Sequence, residues 1–409
     1  MNVLFLTLAY PEGEDGRNIY TDLMQEFKER GNNVYVVSQR ERRYGKPTEF
    51  KTENGINVLR VKTGNVTKAN FIEKGIASLL LENQFIKAIK KHFRYIGFDL
   101  LVYSTPPITF ERVVKFIRKR YNCKTYLLLK DIFPQNAVDI GIIKKGSLIW
   151  RYFRVKEKQL YALSDYIGCM SKANVEYLLK HNPEIEKHKV EECPNSIKPA
   201  PLRGLNDMQF IREKYGIPSD VVVFAYGGNL GRPQGIGFLL KVLEHIKERK
   251  DIFFLIVGSG TEYGRIEKYI NSSSQRNAKI IKSLPKADYD KLLEICDVGL
   301  IFLDPRFTIP NFPSRLTAYM ELAKPVLAAT DVNTDIKDVL FESGCGYWAE
   351  NGNIDRFVKH VDILVSDSKL RRQMGLNGRK YLENYYTVSQ GYDIIIAHLR
   401  DELEMMQTV

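Results

Sequence analysis

The sequence predicts an α/β protein made of two doubly wound parallel sheets, and three observations predict it. The chain has 409 residues, too many for one ordinary domain and enough for two of about 200. Short apolar runs alternate with amphipathic stretches, which is how strands connected through helices are written. The alternation also starts twice. NVLFLTLAY (2–10) and VVVFAYGG (221–228) are each a buried strand entering a glycine-containing loop that precedes a helix.

In order, the strand 2–10 is followed by the polar loop PEGEDGR (11–17), an amphipathic helix ended by Gly31, and the strand NVYVVS (33–38). Residues 40–56 are charged and read as loop, with NVLRVK (57–62) as an antiparallel excursion. A long helix spans Phe71–Phe93. FDLLVYSTPP (98–107) is strand then loop, and FERVVKFIRKR (110–120) is a basic helix. The strand KTYLLLKD (124–131), a basic helix within 143–164, the strand YIGCMS (166–171) and a helix lead to VEECPNSIKP (190–199), which closes the first sheet. A linker is expected at 199–206. In the second half the expected strands are 221–228, 252–260, 279–284 and 297–304, with helices at 237–249, 262–271 and from Ala287. The chain after Gly346 is expected to be mostly helical.

Composition narrows the function classes. Hydrophobic residues make up 44%, enough for two cores, and 27% charged residues do not favour disorder. The net charge of +12 belongs to the first half, where residues 1–200 hold 34 Lys and Arg against 22 Asp and Glu. Such asymmetry points to an anionic surface or substrate. The five scattered cysteines include no CxxC pair and read as reduced core thiols. No basic leader precedes the first apolar run and no stretch approaches the ~20 residues of a membrane span, so a cytoplasmic protein is expected. GxxxxGK[ST], HExxH and GxSxG are absent, which excludes the commoner nucleotide hydrolases, zinc proteases and serine hydrolases.

The stretch TIPNFPSRLTAYMELAKPVLA (308–328) carries the sharpest signal. Pro310 and Pro313 forbid helix before Ser314, which is expected to cap a helix running to Lys324 ahead of a short strand. Arg315 falls in the first turn, where a cation opposes the helix dipole by roughly 0.3–1 kcal/mol. It either faces water or meets an anionic ligand. GGNLGRPQG (227–235) is a loop whose backbone can approach a ligand, with Arg232 in it, or else a plain turn. GSGTEYG (258–264) is a weak dinucleotide signal, because no acid follows about 20 residues on. Asp288 and Asp290 form a DxD, better explained as helix capping after Pro285 than as a metal site. Asp131 follows an apolar strand at the C-terminal edge of the first sheet, as a loop cap or a site carboxylate.

The blocks YSTPPITF, LLKDIFPQNAVDIG, CMSKANVEYL, CPNSIKP, GGNLGRPQG, NFPSRLTAYMELAKPVLAATD and MGLNGRKYLENYYT, in that order, resemble the GT-B glycosyltransferases of the large retaining family four. The resemblance is to the branch that builds bacterial capsule, O-antigen and exopolysaccharide. It departs at two points. The family's pair of glutamates falls on Pro310 and Ala318, with Glu321 one turn further on. Its usual Arg and Lys on the donor diphosphate fall on Asn229 and Gln234.

The resemblance implies two Rossmann-like domains facing a cleft: residues 1–200 for the acceptor, 206–384 for the nucleotide sugar, and a last helix at about 385–409 packing back on the first domain. It implies retaining transfer from a nucleoside-diphosphate sugar, uridine-linked, to a polyprenyl-diphosphate-linked saccharide or glycan. Asp131, Arg232 and Arg315 are then the expected catalytic residues. The expected donor-binding residues are Gly16, Gly228, Asn229, Gln234, Gly258, Leu284, Ser314 and Glu321. No metal, cofactor or nucleic acid is expected. The basic helices (FIKAIKKHFR, FERVVKFIRKR, LIWRYFRVKEK) suit peripheral contact with the anionic inner face of the plasma membrane. The alternatives are a nucleotide-sugar 2-epimerase and a catalytically inactive nucleotide-sugar-binding protein.

Overall fold

A computed structural model describes residues 1–13, 16–66, 71–202 and 208–407. The chain divides into two compact units, Met1–Lys198 with Val388–Val409, and Pro199–Thr387. The expected linker lies partly outside the described residues, at 203–206.

The first unit runs β1 (Asn2–Thr7), α1 (Ile19–Glu29), β2 (Asn33–Glu41), β3 (Glu49–Glu53), β4 (Ile56–Thr63), α2 (Phe71–His92), β5 (Leu100–Ser104), α3 (Glu111–Tyr121), β6 (Lys124–Leu129), α4 (Gln135–Asp139), α5 (Leu148–Leu163), β7 (Tyr166–Cys169), α6 (Lys172–His181) and β8 (Val190–Glu192). Its described strands form one sheet in the order β3-β4-β2-β1-β5-β6-β7-β8. Val3, Leu4, Phe5 and Leu6 are all fully buried, because a parallel strand covered by helices on both faces has no solvent side. Asn18 caps α1 reciprocally with Thr21, which fixes where the loop after β1 ends.

The antiparallel excursion is displaced from its expected place. NVLRVK belongs to β4, which pairs parallel with β2, and the antiparallel partner is β3, inside the segment read as loop. That edge strand is mostly exposed and polar, so it carries no hydrophobic period. Arg60 of β4 is 2% exposed. It bonds Glu53 Oε2 at 2.6 Å and the carbonyls of Tyr10 and Pro11, tying the loop after β1 to the sheet.

The second unit runs α7 (Met208–Tyr215), β9 (Val222–Asn229), α8 (Ile236–His245), β10 (Ile252–Ser259), α9 (Tyr263–Ser272), β11 (Ala278–Ile281), α10 (Lys286–Glu294), β12 (Val298–Phe302), α11 (Arg315–Glu321), β13 (Val326–Thr330), α12 (Ile336–Ser343), β14 (Gly346–Glu350), α13 (Ile354–Ser366) and α14 (Ser368–Tyr385). Its described strands are ordered β11-β10-β9-β12-β13-β14 and pair in parallel, so chain order reverses between β9 and β12. Phe224, Phe254, Phe302 and Phe357 anchor its core.

Two element boundaries differ from expectation. β11 stops at Ile281, which leaves Leu284 in a loop. The helix expected from Ser314 to Lys324 is the shorter α11. Ser314 does not cap it, because its own backbone is already helical (φ −62°, ψ −14°) and its carbonyl accepts from Thr317 Oγ1 at 2.8 Å. At the other end Ala323 turns to φ +50°, and α14 passes so closely that a Cβ on Gly375 would come within 1.9 Å of the Ala323 carbonyl oxygen.

The last helix, α15 (Val388–Gln407), belongs to the first unit. Val388, Tyr392, Ile395 and Ile396 join that unit's core beside Phe27. His398 stacks on Tyr166 with ring centroids 3.8 Å apart and lies 2.9 Å from Glu191 Oε1. Among the described residues no helix is long and apolar enough to cross a membrane.

Candidate active site

In the second unit the site is built at the C-terminal ends of β9 and β10, beside the point between β9 and β12 where chain order reverses, the usual place for a ligand on an open parallel sheet. Gly228 and Gly258 lie opposite each other in register. Gly228 has φ +119°, a conformation that favours glycine. A Cβ on Gly258 would come within 1.8 Å of the Gly228 carbonyl oxygen. The two strand ends therefore pack closely, with Gly258 buried against Gly228 and the Gly228 backbone left exposed as a shelf.

Arg315 reaches toward this shelf. Its Nη2 donates to Gln234 Oε1 at 2.8 Å, and its guanidinium lies over the Tyr226 ring, 4.5 Å from the centroid. The Tyr226 hydroxyl has two acceptors within reach of its one proton, Asn229 O at 2.9 Å and Gln234 Oε1 at 3.1 Å. Tyr289, on α10, fills the space beside Gly227, where an added Cβ would clash with its hydroxyl. Burial lifts the pKa of both tyrosines, and the Arg315 charge draws them back partway. Among the described residues the Arg315 Nη1 is buried without any hydrogen-bond partner. A buried guanidinium nitrogen left so is costly, and an anionic oxygen placed there would satisfy it. Arg232 is exposed on the short turn that also carries Gln234.

In the first unit Asp131 follows β6, beside the end of β5. Thr105 Oγ1 accepts from the Lys130 and Asp131 amides at 3.0 and 3.2 Å, fixing the backbone there. Asn136 Nδ2 donates to Asp131 Oδ1 at 2.6 Å. Burial nonetheless raises the Asp131 carboxyl to about 6, opposed by the Asn136 and Ile132 bonds and assisted by the nearby Glu157 charge. Lys130 turns inward, where its Nζ donates to Cys193 O at 3.0 Å.

Four likenesses bear on this geometry. Residues 207–381 match the family model described as "Glycosyl transferases group 1". The matched stretch lies within the second unit. Over 286 residues the chain is 26% identical to the probable glycosyltransferase WbjE of Pseudomonas aeruginosa, covering 68% of this chain and 69% of that one. Its fold is similar to that of sucrose-phosphate synthase from Thermosynechococcus elongatus, with TM-score 0.77, 15% identity and 99% of each chain covered. It is likewise similar to Anabaena HepE in a structure with UDP, with TM-score 0.69, 13% identity and 98% and 100% of the two chains covered. The protein is a glycosyltransferase with two Rossmann-like units.

Of the expected donor-site residues, the glycosyltransferase brings Arg315, Gln234, Asn229, Gly228 and Gly258 to one end of one sheet. The remaining expected residues have other surroundings. Glu321 closes α11 and accepts the Ala200 amide at 2.9 Å, so its carboxylate is engaged by the segment that enters the unit. Ser314 is exposed. Leu284 is half-buried in the loop ahead of α10. Gly16 lies in the first unit, against Pro11, where an added Cβ would come within 2.5 Å of the proline ring. The DxD carboxylates do not cap α10. Pro285 holds the cap position, Asp290 pairs with Lys286 at 2.6 Å, and Asp288 sits in the first turn.

Tyr226 and Tyr289 were not among the expected site residues. The former alternates with the core residue Phe224 and reads as one more buried strand position, and only the glycine pair after it marks the strand end as a site. Tyr289 lies between the two DxD aspartates and carries no signal of its own.

Proposed function

We propose that the protein transfers a sugar, with retention, from a uridine-diphosphate sugar to a lipid-linked saccharide or glycan during assembly of a bacterial surface polysaccharide. The observation that carries this reading is the buried, unpartnered Arg315 Nη1 beside the exposed backbone of Gly228. A leaving diphosphate supplies the anion that such a group lacks, and its neutralisation is the main electrostatic task of the step. Arg315 contributes that charge from inside the site, and Arg232 adds to it from the exposed turn. Gln234, at the position where the resembled family has a cation, holds Arg315 instead of the phosphate. UDP in the HepE structure supports the choice of nucleotide. Asp131 in the first unit orients the acceptor hydroxyl. The departing phosphate oxygen takes the acceptor proton as the new glycosidic bond forms on the face the diphosphate leaves.

The test is release of UDP from uridine-diphosphate sugars in the presence of a polyprenyl-diphosphate saccharide. The expected result is acceptor-dependent UDP release with a glycosylated lipid product. Saturable binding without UDP release would contradict transfer and favour a sensor. Metal is dispensable in this account, since arginine side chains neutralise the diphosphate. Activity should survive EDTA, and full loss restored by magnesium or manganese would overturn that.

The same reading places the protein at the inner face of an anionic membrane. Leu148, Ile149, Tyr152 and Val155 are exposed on α5, Leu148 by 83%, with Lys144, Lys145 and Arg151 exposed close by in sequence. Apolar residues flanked by cations are the composition of a helix lying in an interface. Cosedimentation of the full-length protein with phosphatidylglycerol-containing vesicles should rise with the anionic fraction and fall with salt. It should drop in Leu148→Ser/Ile149→Ser. Equal recovery with neutral vesicles would contradict the assignment.

A further inference from the structure

A second cationic site belongs to the first unit, whereas Arg315 belongs to the second. The outer surfaces of α2 and α3 enclose an open groove of about 550 Å³. Lys87 and Lys90 of α2 and Arg112, Lys115 and Lys119 of α3 line it, and all five are exposed. Among the described residues none of the five is ion-paired. The acids at the groove are already used. Glu111 is buried and pairs with Lys156 of α5 at 2.9 Å, and buried Glu82 accepts the Arg112 amide at 2.6 Å.

Cations nearby on the same unit are matched differently. Arg118 pairs with Asp165 at 2.7 Å, Arg154 with Glu157 at 2.6 Å and Lys158 with Glu184 at 2.8 Å. The groove residues are instead set at like-charge spacings. Lys87 and Lys90, and Arg112 and Lys115, stand three apart, and Lys115 and Lys119 four apart, each pair costing a few tenths of a kcal/mol on a helix. Five such charges around one concavity focus a positive potential into it, more than they would on a flat surface. Phe116, with the Lys90 Nζ 5.2 Å from its ring centroid, supplies an apolar wall. The groove volume falls in the range that holds a small-molecule ligand.

We propose that this groove, built from the first unit alone, binds a phosphate-bearing polyanion. The ligand is one with two or more adjacent phosphates, because cations on both walls must be reached together. Its source is either a soluble polyphosphate compound or a phosphorylated lipid headgroup, and the chemistry of recognition is the same for both. Binding relieves the repulsion between the walls, so the ligand also stabilises the α2–α3 pair.

The experiment titrates the full-length protein with inorganic tripolyphosphate by calorimetry, and separately with phosphatidylcholine vesicles containing a minor fraction of phosphatidylinositol 4-phosphate. Lys115→Gln/Lys119→Gln and Lys87→Gln/Lys90→Gln remove the charge of one wall each. Lys172→Gln/Lys180→Gln removes two exposed cations of α6 as the control for general charge. The dissociation constant should rise roughly tenfold or more in either wall variant and stay near wild type in the control. Arg315→Ala should leave the groove's binding unchanged, which separates this site from the donor site. Wall-dependent binding of tripolyphosphate alone identifies a soluble ligand, and wall-dependent binding of the vesicles identifies the headgroup. Equal binding by wild type and both wall variants, or no saturable binding of either probe, would overturn the proposal. Unfolding midpoints of the variants, matched to wild type, keep loss of binding distinct from loss of fold.

Discussion

Replacing Arg315 with alanine should weaken binding of UDP by roughly 1.5–3 kcal/mol, about 10- to 150-fold in Kd, the range for hydrogen bonds to charged groups. The expectation follows from one nitrogen. Nη1 is buried and unpartnered while the Tyr226 ring and Gln234 hold the rest of the guanidinium still. A pre-ordered cation loses little side-chain entropy when the diphosphate arrives. Arg315→Lys should recover only part of the loss, because an ammonium neither spans Gln234 and a phosphate together nor stacks on Tyr226 as a plane. Arg232→Ala should act in the same direction but near the lower end, since its side chain is exposed and screened by solvent. Calorimetry with UDP checks these values, and UMP, which lacks the second phosphate, should show a smaller loss. Unchanged affinity in both alanine variants would remove the diphosphate from this site.

Asp131→Asn should leave UDP affinity unchanged and lower turnover about a hundredfold, the scale of a misplaced reacting group. It should also change stability in a pH-dependent way. Burial raises this carboxyl to about 6 in the folded chain, against an ordinary value of 3.8. Between those values the folded chain binds the proton more than the unfolded chain does, so stability falls as pH rises through this window. The loss is complete above about pH 6 and absent below about pH 4. The asparagine variant carries no such loss. It should be more stable than wild type by roughly 1–3 kcal/mol at neutral pH, with the gap closing as pH falls toward about 4. Urea unfolding at both ends of the window measures it. A gap independent of pH would mean that the Asp131 carboxyl is ordinary. A fall in both UDP affinity and turnover would contradict its acceptor-side role.

Much of the fold was legible because parallel strands buried on both faces leave continuous apolar runs, as in NVLFLT, LLVYS and VVFAY. β3 was not legible. An exposed edge strand of sequence EFKTE lacks both the run and the alternation. The limits of α11 were misplaced because a good capping residue, Ser314, lies next to a helix that does not use it, and because the stop is a backbone crowding between Ala323 and Gly375. Arg315 stood out as a cation opposing a helix dipole. Its partners were not legible, because the contact of Gln234 with Arg315 spans 81 residues and Tyr226 looks like core from its strand alone. Glu321 was chosen by helical spacing, and spacing does not show that the Ala200 amide already occupies its carboxylate.

The most direct measurement is a crystal structure of the protein with UDP. A diphosphate oxygen is expected within about 2.7–2.9 Å of Arg315 Nη1, with the phosphates over the exposed backbone of Gly228. A UDP bound elsewhere, with Arg315 Nη1 still buried and unpartnered, would contradict it.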